Sequence, residues 1–236
     1  MYDETARYYD KLYDFKDYEG EARALAGLIR EELGPGRKRL LDVACGTGRH
    51  LEFLSQEFDV EGLDLSARLL DVARERLPQI RFHEGDMRTS RLSSSFDVVI
   101  CLFSSIGYMT DSGDLGRALR TMADHLISGG LLVVEPWFTP EMWRPNTVHA
   151  MLVDEPELKI ARVNTSLING RITVLDMHHL IGTPEGTTHV VEHHRLFLYT
   201  IEEMMGAFES AGLGVQYDPV GLTGRGLYVG RKGIAP

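Results

Sequence analysis

The chain has 236 residues, 43% of them hydrophobic, with 25 Lys and Arg against 35 Asp and Glu for a formal net charge of -10. That length accommodates one full-sized α/β domain with an ample core. The acidic balance argues against nonspecific binding to nucleic acid or an anionic membrane, which both recruit clustered Lys and Arg, and favours a small-molecule partner.

At the N-terminus, Asp3, Glu4 and Arg7 stand where a signal peptide needs an apolar stretch, and no uncharged apolar run of the chain approaches bilayer length. A cytoplasmic location is expected. Residues 19–33 place Leu25, Leu28, Ile29 and Leu33 at three- and four-residue spacings, so they predict an amphipathic helix stopped by Gly34-Pro35-Gly36. Short apolar runs follow: LLDVA at 40–44, VEGLDL at 60–65, FDVVICLF at 96–103 and LLVVEP at 131–136. Bounded by Gly, Asp or Pro, they read as buried parallel strands. Helical patterns at 49–57, 66–77 and 114–127 alternate with them. The order predicts an α/β, Rossmann-like, doubly wound and mostly parallel sheet with right-handed crossovers. Cys45 and Cys101, each in or beside an apolar run, read as buried thiols and not as a disulfide or metal pair.

Residues 147–200 read differently, as alternating strands broken by Gly170 and the Pro184-Glu185-Gly186 turn. They predict an antiparallel β insertion over the sheet. A helix at 201–211 and strands near 214–217 and 226–231 complete the pattern. One domain over 1–236 is expected, with a helical lid at 1–33 and a substrate-binding insertion at 137–200.

The first strand runs through Cys45-Gly46-Thr47-Gly48 directly into a helix, placing a glycine turn at the carboxyl edge where ligands of doubly wound sheets bind. Glycines admit a close approach, and exposed amides at the helix start suit a carboxylate, although a purely structural turn has the same sequence. Asp64 ends the second strand, where a carboxylate can accept from both ribose hydroxyls or simply cap the helix that begins near Ser66. Gly85-Asp86-Met87 follows the third strand and offers a carboxylate for the edge of an adenine and a soft side chain for its face; ordinary loop chemistry is the alternative. Asp42, inside a strand, is costly to bury unless hydrogen-bonded. A dinucleotide fingerprint requires a third glycine, yet position 51 is Leu51.

The segments DVACGTG, DLS and GDM resemble class I S-adenosylmethionine-dependent methyltransferases. The resemblance implies that Gly46 and Gly48 hold the methionine part, Asp64 the ribose, and Asp86 and Met87 the adenine, with Ala44, Leu65 and Leu102 also in contact with the cofactor. Ala44 stands where many of these enzymes have a first glycine, so the backbone there is not expected to need positive φ. FSSIGYM, GGLLVVEPW, RVNTS and GRGLYVG extend the likeness over almost the whole chain. Together the segments resemble N,N-dimethyltransferases that convert the amine of a dTDP-linked deoxyamino sugar to a dimethylamine, as in desosamine and mycaminose formation for macrolide antibiotics.

That resemblance implies a nucleotide-sugar substrate, S-adenosyl-L-methionine as cofactor and no metal, and leaves room for a homodimer. It matches Tyr9 and Tyr18 to lid positions over the cofactor and Tyr2 to a tyrosine near the acceptor amine. It matches Tyr108 to a position that is His in some relatives, so a histidine base is not available at that point. Trp137, Arg162 and Arg225 match the nucleotide-sugar side, with the arginines assigned to pyrophosphate because a guanidinium fork suits phosphate oxygens. A plain surface ion pair is the alternative for each. His178, His179, His189, His193 and His194 do not suit a metal, since adjacent strand residues such as His193 and His194 face opposite ways and no cysteine joins them. His178 is instead assigned to substrate. The competing functions are a class I methyltransferase of another small acceptor and a noncatalytic nucleotide-binding module.

Overall fold

The computed structural model describes residues 5–234. After a 3-10 turn at Ala6–Tyr8 come α1 (Tyr9–Leu12) and α2 (Tyr18–Leu33). The Asp17 side chain caps α2 by accepting from Gly20 N at 2.9 Å, and Gly34, at φ 73°, ends it. Then follow β1 (Arg39–Val43), α3 (Arg49–Leu54), β2 (Asp59–Asp64), α4 (Ala67–Arg76), β3 (Arg81–Glu84), β4 (Phe96–Cys101), α5 (Ser112–Asp124) and β5 (Leu126–Val134). Four long strands come next: β6 (Thr147–Glu155), β7 (Leu158–Asn169), β8 (Ile172–Thr183) and β9 (Gly186–Phe197). The chain closes with α6 (Ile201–Ser210), β10 (Leu213–Asp218) and β11 (Leu227–Lys232). Thr200 and Glu203 form a capping box at the start of α6.

The strands assemble into a seven-stranded sheet of order β10-β11-β5-β4-β1-β2-β3 and a separate four-stranded sheet β6-β7-β8-β9. In the first, β1, β2, β3, β4 and β5 run parallel, and β11 joins β5 antiparallel. Alternation along the strands divides the core. Leu40, Val98 and Ile100 face Leu25, Ile29 and Leu51 of α2 and α3, whereas Leu41, Val99 and Cys101 face Leu119 and Met122 of α5 and Phe208 of α6. Each fully buried Leu or Ile of this kind contributes about 1.5–3 kcal/mol of transfer free energy. Strand order reverses between β1 and β4, which opens a crevice at their carboxyl ends.

The four-stranded sheet lays one face over that crevice. Its Val153, Ile160 and Ile181 pack with Leu12 and Tyr13 of the N-terminal segment, and Leu175 and Leu196 pack with Trp143 and Leu198. Its other face exposes Val148, Leu152, Val163 and Leu180.

The predicted strand at 96–103 ends earlier, at Cys101, because Phe103 and Ser104 adopt φ of 51° and 64° and turn the chain into a 3-10 turn at Ser105–Tyr108. Left-handed backbone cannot continue a strand. The predicted helix at 49–57 likewise ends at Leu54.

Candidate active site

A cavity of about 510 Å3 opens where the two sheets and the N-terminal helices meet. One end is built by the turn after β1. Ala44 N and Cys45 N both donate to Leu63 O, at 2.7 and 3.1 Å, which bends the chain sharply. Ala44 consequently takes φ 62°, so the expectation that it avoids positive φ is overturned: two hydrogen bonds to β2 outweigh a left-handed Cβ penalty of about 1–2 kcal/mol. Gly46 and Gly48 follow at φ 55° and 75°, and a Cβ at Gly48 would meet Ala73 and Leu77 only at ordinary contact, 3.4 Å. The left-handed backbone is what favours glycine at both positions.

Asp64, at the end of β2, accepts from Gly46 N through Oδ2 and from Ser66 N through Oδ1, each at 2.8 Å. It therefore ties the turn to β2 and is not the cap of α4; Ser66 fills that role through Leu69 N. Burial pushes the Asp64 carboxyl up, and the amides of Ser66, Gly46 and Leu65 oppose that shift. Each oxygen retains acceptor capacity toward the cavity, because a carboxylate offers about four lone-pair sites. Leu65, two-thirds exposed, lies beside it on the rim of the same cavity.

A smaller recess beneath the turn is lined by Asp42, Thr47, Arg49, His50, Tyr18 and Leu102. Asp42 is almost fully buried, and its carboxyl is pushed well up, first by burial and then by the Asp64 charge. Arg49 Nε is buried without a hydrogen-bond partner. A buried acid and an orphaned guanidinium nitrogen beside backbone amides form a donor and acceptor set that fits the ammonium and carboxylate of an amino-acid tail. Arg49 carried no role in the sequence reading; its place directly after the glycine turn is the signal that could have found it.

Asp86 and Met87 line the cavity on the β3 side. Arg88 donates to both Asp86 oxygens and reaches Asp114 at 2.9 Å, and its hydrogen bonds hold the Asp86 carboxyl below its usual range against the opposing effect of burial. The partner Arg88 was also missed, although it is the next residue but one.

The N-terminal helices are fastened over the turn. Thr47 donates to Asp10 at 2.6 Å, Arg76 bonds both Thr47 O and Asp10, and His50 meets the Glu21 carboxylate at 2.9 Å. This places Tyr9 in the cavity wall and Tyr18 against the recess, edge-on to His50 at 4.9 Å. Burial, followed by the surrounding phenols, pushes the Tyr9 hydroxyl well up. Tyr13, not singled out before, also lines the cavity and meets Phe103 edge-on at 5.3 Å.

The far end carries Tyr108, Trp137, Arg162, Arg225 and His194. Arg225 donates to Ser104 Oγ at 2.9 Å and lies over the rings of Phe103, Trp137 and Phe138 at 5.3–5.7 Å. Arg162, on β7, lies over Tyr13 at 5.2 Å, and its Nη1 is buried without a partner. Among the described residues neither arginine enters an ion pair. Fully buried Glu135 accepts from Phe103 N at 2.7 Å and from Thr223, holding the strained Phe103-Ser104 turn in place.

His178 is corrected: it projects from the exposed face of β8, stacked on His189 at 5.3 Å and outside the cavity lining. The histidine that reaches the cavity is His194, buried on the opposite face, with Nδ1 2.8 Å from the Tyr108 hydroxyl. The parity of β8 and β9 explains the exchange. Tyr2 lies outside the described residues.

The family model described as a methyltransferase domain matches residues 40–130. dTDP-3-amino-3,6-dideoxy-alpha-D-glucopyranose N,N-dimethyltransferase of Streptomyces fradiae is 43% identical over 98% of this chain and 91% of its own length. dTDP-3-amino-3,4,6-trideoxy-alpha-D-glucopyranose N,N-dimethyltransferase of Streptomyces venezuelae is 42% identical, over 98% of this chain and 99% of its own. Among solved structures, Streptomyces venezuelae DesVI matches with a TM-score of 0.90 and 41% identity, covering 98% of this chain and 99% of that one. The S-adenosylmethionine-bound amino pentose methyltransferase CalS10 of Micromonospora echinaspora matches at TM-score 0.85 and 39% identity, covering 95% and 96%.

Proposed function

The chain belongs to the S-adenosylmethionine-dependent methyltransferases, alongside the dTDP-amino-sugar N,N-dimethyltransferases, and we propose that it methylates the amine of a dTDP-linked deoxyamino sugar in natural-product biosynthesis. The observation that carries this reading is the two-ended cavity. One end presents Asp64 and the glycine turn, with Asp42 and Arg49 in the recess beneath, to a nucleoside with an amino-acid tail; the other presents Arg162, Arg225 and Trp137 to a nucleotide diphosphate. A guanidinium with an orphaned Nη1, set against an aromatic ring, suits a phosphate oxygen.

When bound, S-adenosylmethionine supplies an electrophilic methyl on a sulfonium. The chain's own part is alignment. Asp64 and the turn hold the donor, the arginines hold the acceptor's diphosphate, and Tyr108 takes one hydrogen bond with the amine to orient its lone pair. Bringing the reacting atoms to about 3 Å in the correct line is worth roughly 7–11 kcal/mol. The apolar wall of Val43, Leu63, Met109 and Leu196 keeps water out of that path.

The test is incubation with S-adenosylmethionine and a panel of dTDP-amino sugars, read by mass. Products heavier by one or two methylenes are the expected result. Methylation of only hydroxyl acceptors, or of none, would overturn the substrate assignment.

A further inference from the structure

The methylation reading, on which this inference rests, leaves protons to be placed. An amine that arrives as an ammonium ion has no lone pair to attack with and must lose a proton first. An N-methylammonium product must lose another before a second methyl can follow. The cavity wall holds a chain of groups suited to receive them.

Tyr108 closes the 3-10 turn, and its hydroxyl stands 2.8 Å from His194 Nδ1. Glu192 precedes His194 by two residues on β9 and so shares its inward face. One Glu192 oxygen lies 3.6 Å from His194 Nε2 and 4.0 Å from His179 Nε2, and Thr5 donates to the other. All of these groups except Tyr108 are nearly inaccessible to solvent. Burial by itself would raise the Glu192 carboxyl, but the His194 imidazole 3.6 Å away, the hydrogen bond from Thr5 and the neighbouring His179 hold it low. His179 falls below its usual range through burial, and Arg162 of β7 pushes it the same way. Tyr9 of α1 lines the same cavity as Tyr108. A carboxylate at Nε2 selects the tautomer that carries its hydrogen there, which leaves Nδ1 as acceptor for the Tyr108 hydroxyl.

We propose that Tyr108, His194 and Glu192 form a proton relay that deprotonates the acceptor amine before each methyl transfer. The ammonium N–H bond breaks as an O–H bond forms on Tyr108. The phenol's own hydrogen passes to Nδ1 of His194, and the electron pair stays on the amine nitrogen, ready to attack. The imidazolium faces the Glu192 carboxylate and, once the product has left, returns its proton by the reverse path through the Tyr108 hydroxyl, the one member of the chain that solvent reaches. Tyr108 need never ionise, so the absence of a histidine at position 108 costs the site nothing: the imidazole stands one hydrogen bond behind it.

The experiment compares the wild type with His194→Asn, which keeps a polar group near the Nδ1 position and cannot carry the proton. On a dTDP-amino sugar, kcat of the variant falls about ten- to a hundredfold at pH 7, and monomethylated product accumulates. The deficit shrinks towards pH 9.5, where solvent has already deprotonated the amine. Glu192→Gln gives a smaller deficit with the same pH dependence and carries the test independently of how well the first variant folds. A loss that is equal at every pH, or no loss in either variant, overturns the relay. A wild type that methylates no dTDP-amino sugar overturns the substrate reading itself, a distinct result.

Discussion

Replacing Asp64 with Ala removes the acceptor assigned to the ribose and also the tie between two loops. In the folded chain Oδ1 and Oδ2 each take one backbone amide at 2.8 Å, from Ser66 and Gly46. The carboxylate is thus oriented before any ligand arrives, and little ordering entropy remains to oppose binding. A hydrogen bond to a charged group contributes about 1.5–3 kcal/mol net, and two ribose hydroxyls share this one acceptor. Loss of both contacts, partly offset by water entering the gap, amounts to about 2–4 kcal/mol, or roughly thirty- to seven-hundredfold in Kd. Calorimetric titration with S-adenosylhomocysteine measures it, with thermal melting to establish that the variant is folded. Wild-type affinity in a folded Asp64→Ala protein would refute the assignment. The same carboxyl supplies a pH arm. Burial raises it above the ordinary carboxylate range, and only the ionised form accepts from both hydroxyls. Affinity is therefore full above that raised range and weakens as pH falls through it, sooner than an unperturbed aspartate would allow.

Arg162→Ala and Arg225→Ala should each raise KM for the nucleotide-sugar by roughly ten- to a hundredfold with cofactor affinity nearly unchanged, since a charge-assisted bond to phosphate contributes about 1.5–3 kcal/mol; steady-state kinetics beside calorimetry separates the two effects. Tyr108→Phe should lower kcat by about one to two powers of ten while activity survives, because alignment supplies most of the barrier reduction; a loss beyond about a thousandfold in kcat would show the phenol to be indispensable. Asp42→Asn should raise the melting temperature of the free protein at pH 7 and weaken cofactor binding. The sign follows from the raised Asp42 carboxyl: folding favours its protonated form, so stability is fullest below the unfolded value and is lost as pH rises through the folded one. The Asn side chain removes that cost together with the charge that an ammonium would need, and melting curves should show the gap between variant and wild type opening as pH rises above the ordinary aspartate range.

The strand and helix order was legible in the sequence because its signals are local. Apolar runs such as LLDV and VVIC are short enough to be strands and too continuous for amphipathic helices, and Asp17, Ser66 and Thr200 cap helices within their own turns. The glycine turn and Asp64 were legible for a related reason: a β-turn-α unit brings its own ends together at the strand edge whatever the rest of the chain does. Tertiary structure alone decided the remainder. The positive φ of Ala44 follows from two amides sharing Leu63 O on another strand, and that of Phe103 from its anchor on Glu135, neither of which a residue type announces. The choice between His178 and His194 turned on which face of β8 and β9 lies over the cavity, and a shift of one residue in register would have reversed it. Tyr108 and His194 are 86 residues apart. Their contact depends on how the four-stranded sheet docks on the larger one, an outcome set by the sum of many weak long-range contacts that no single segment of sequence contains.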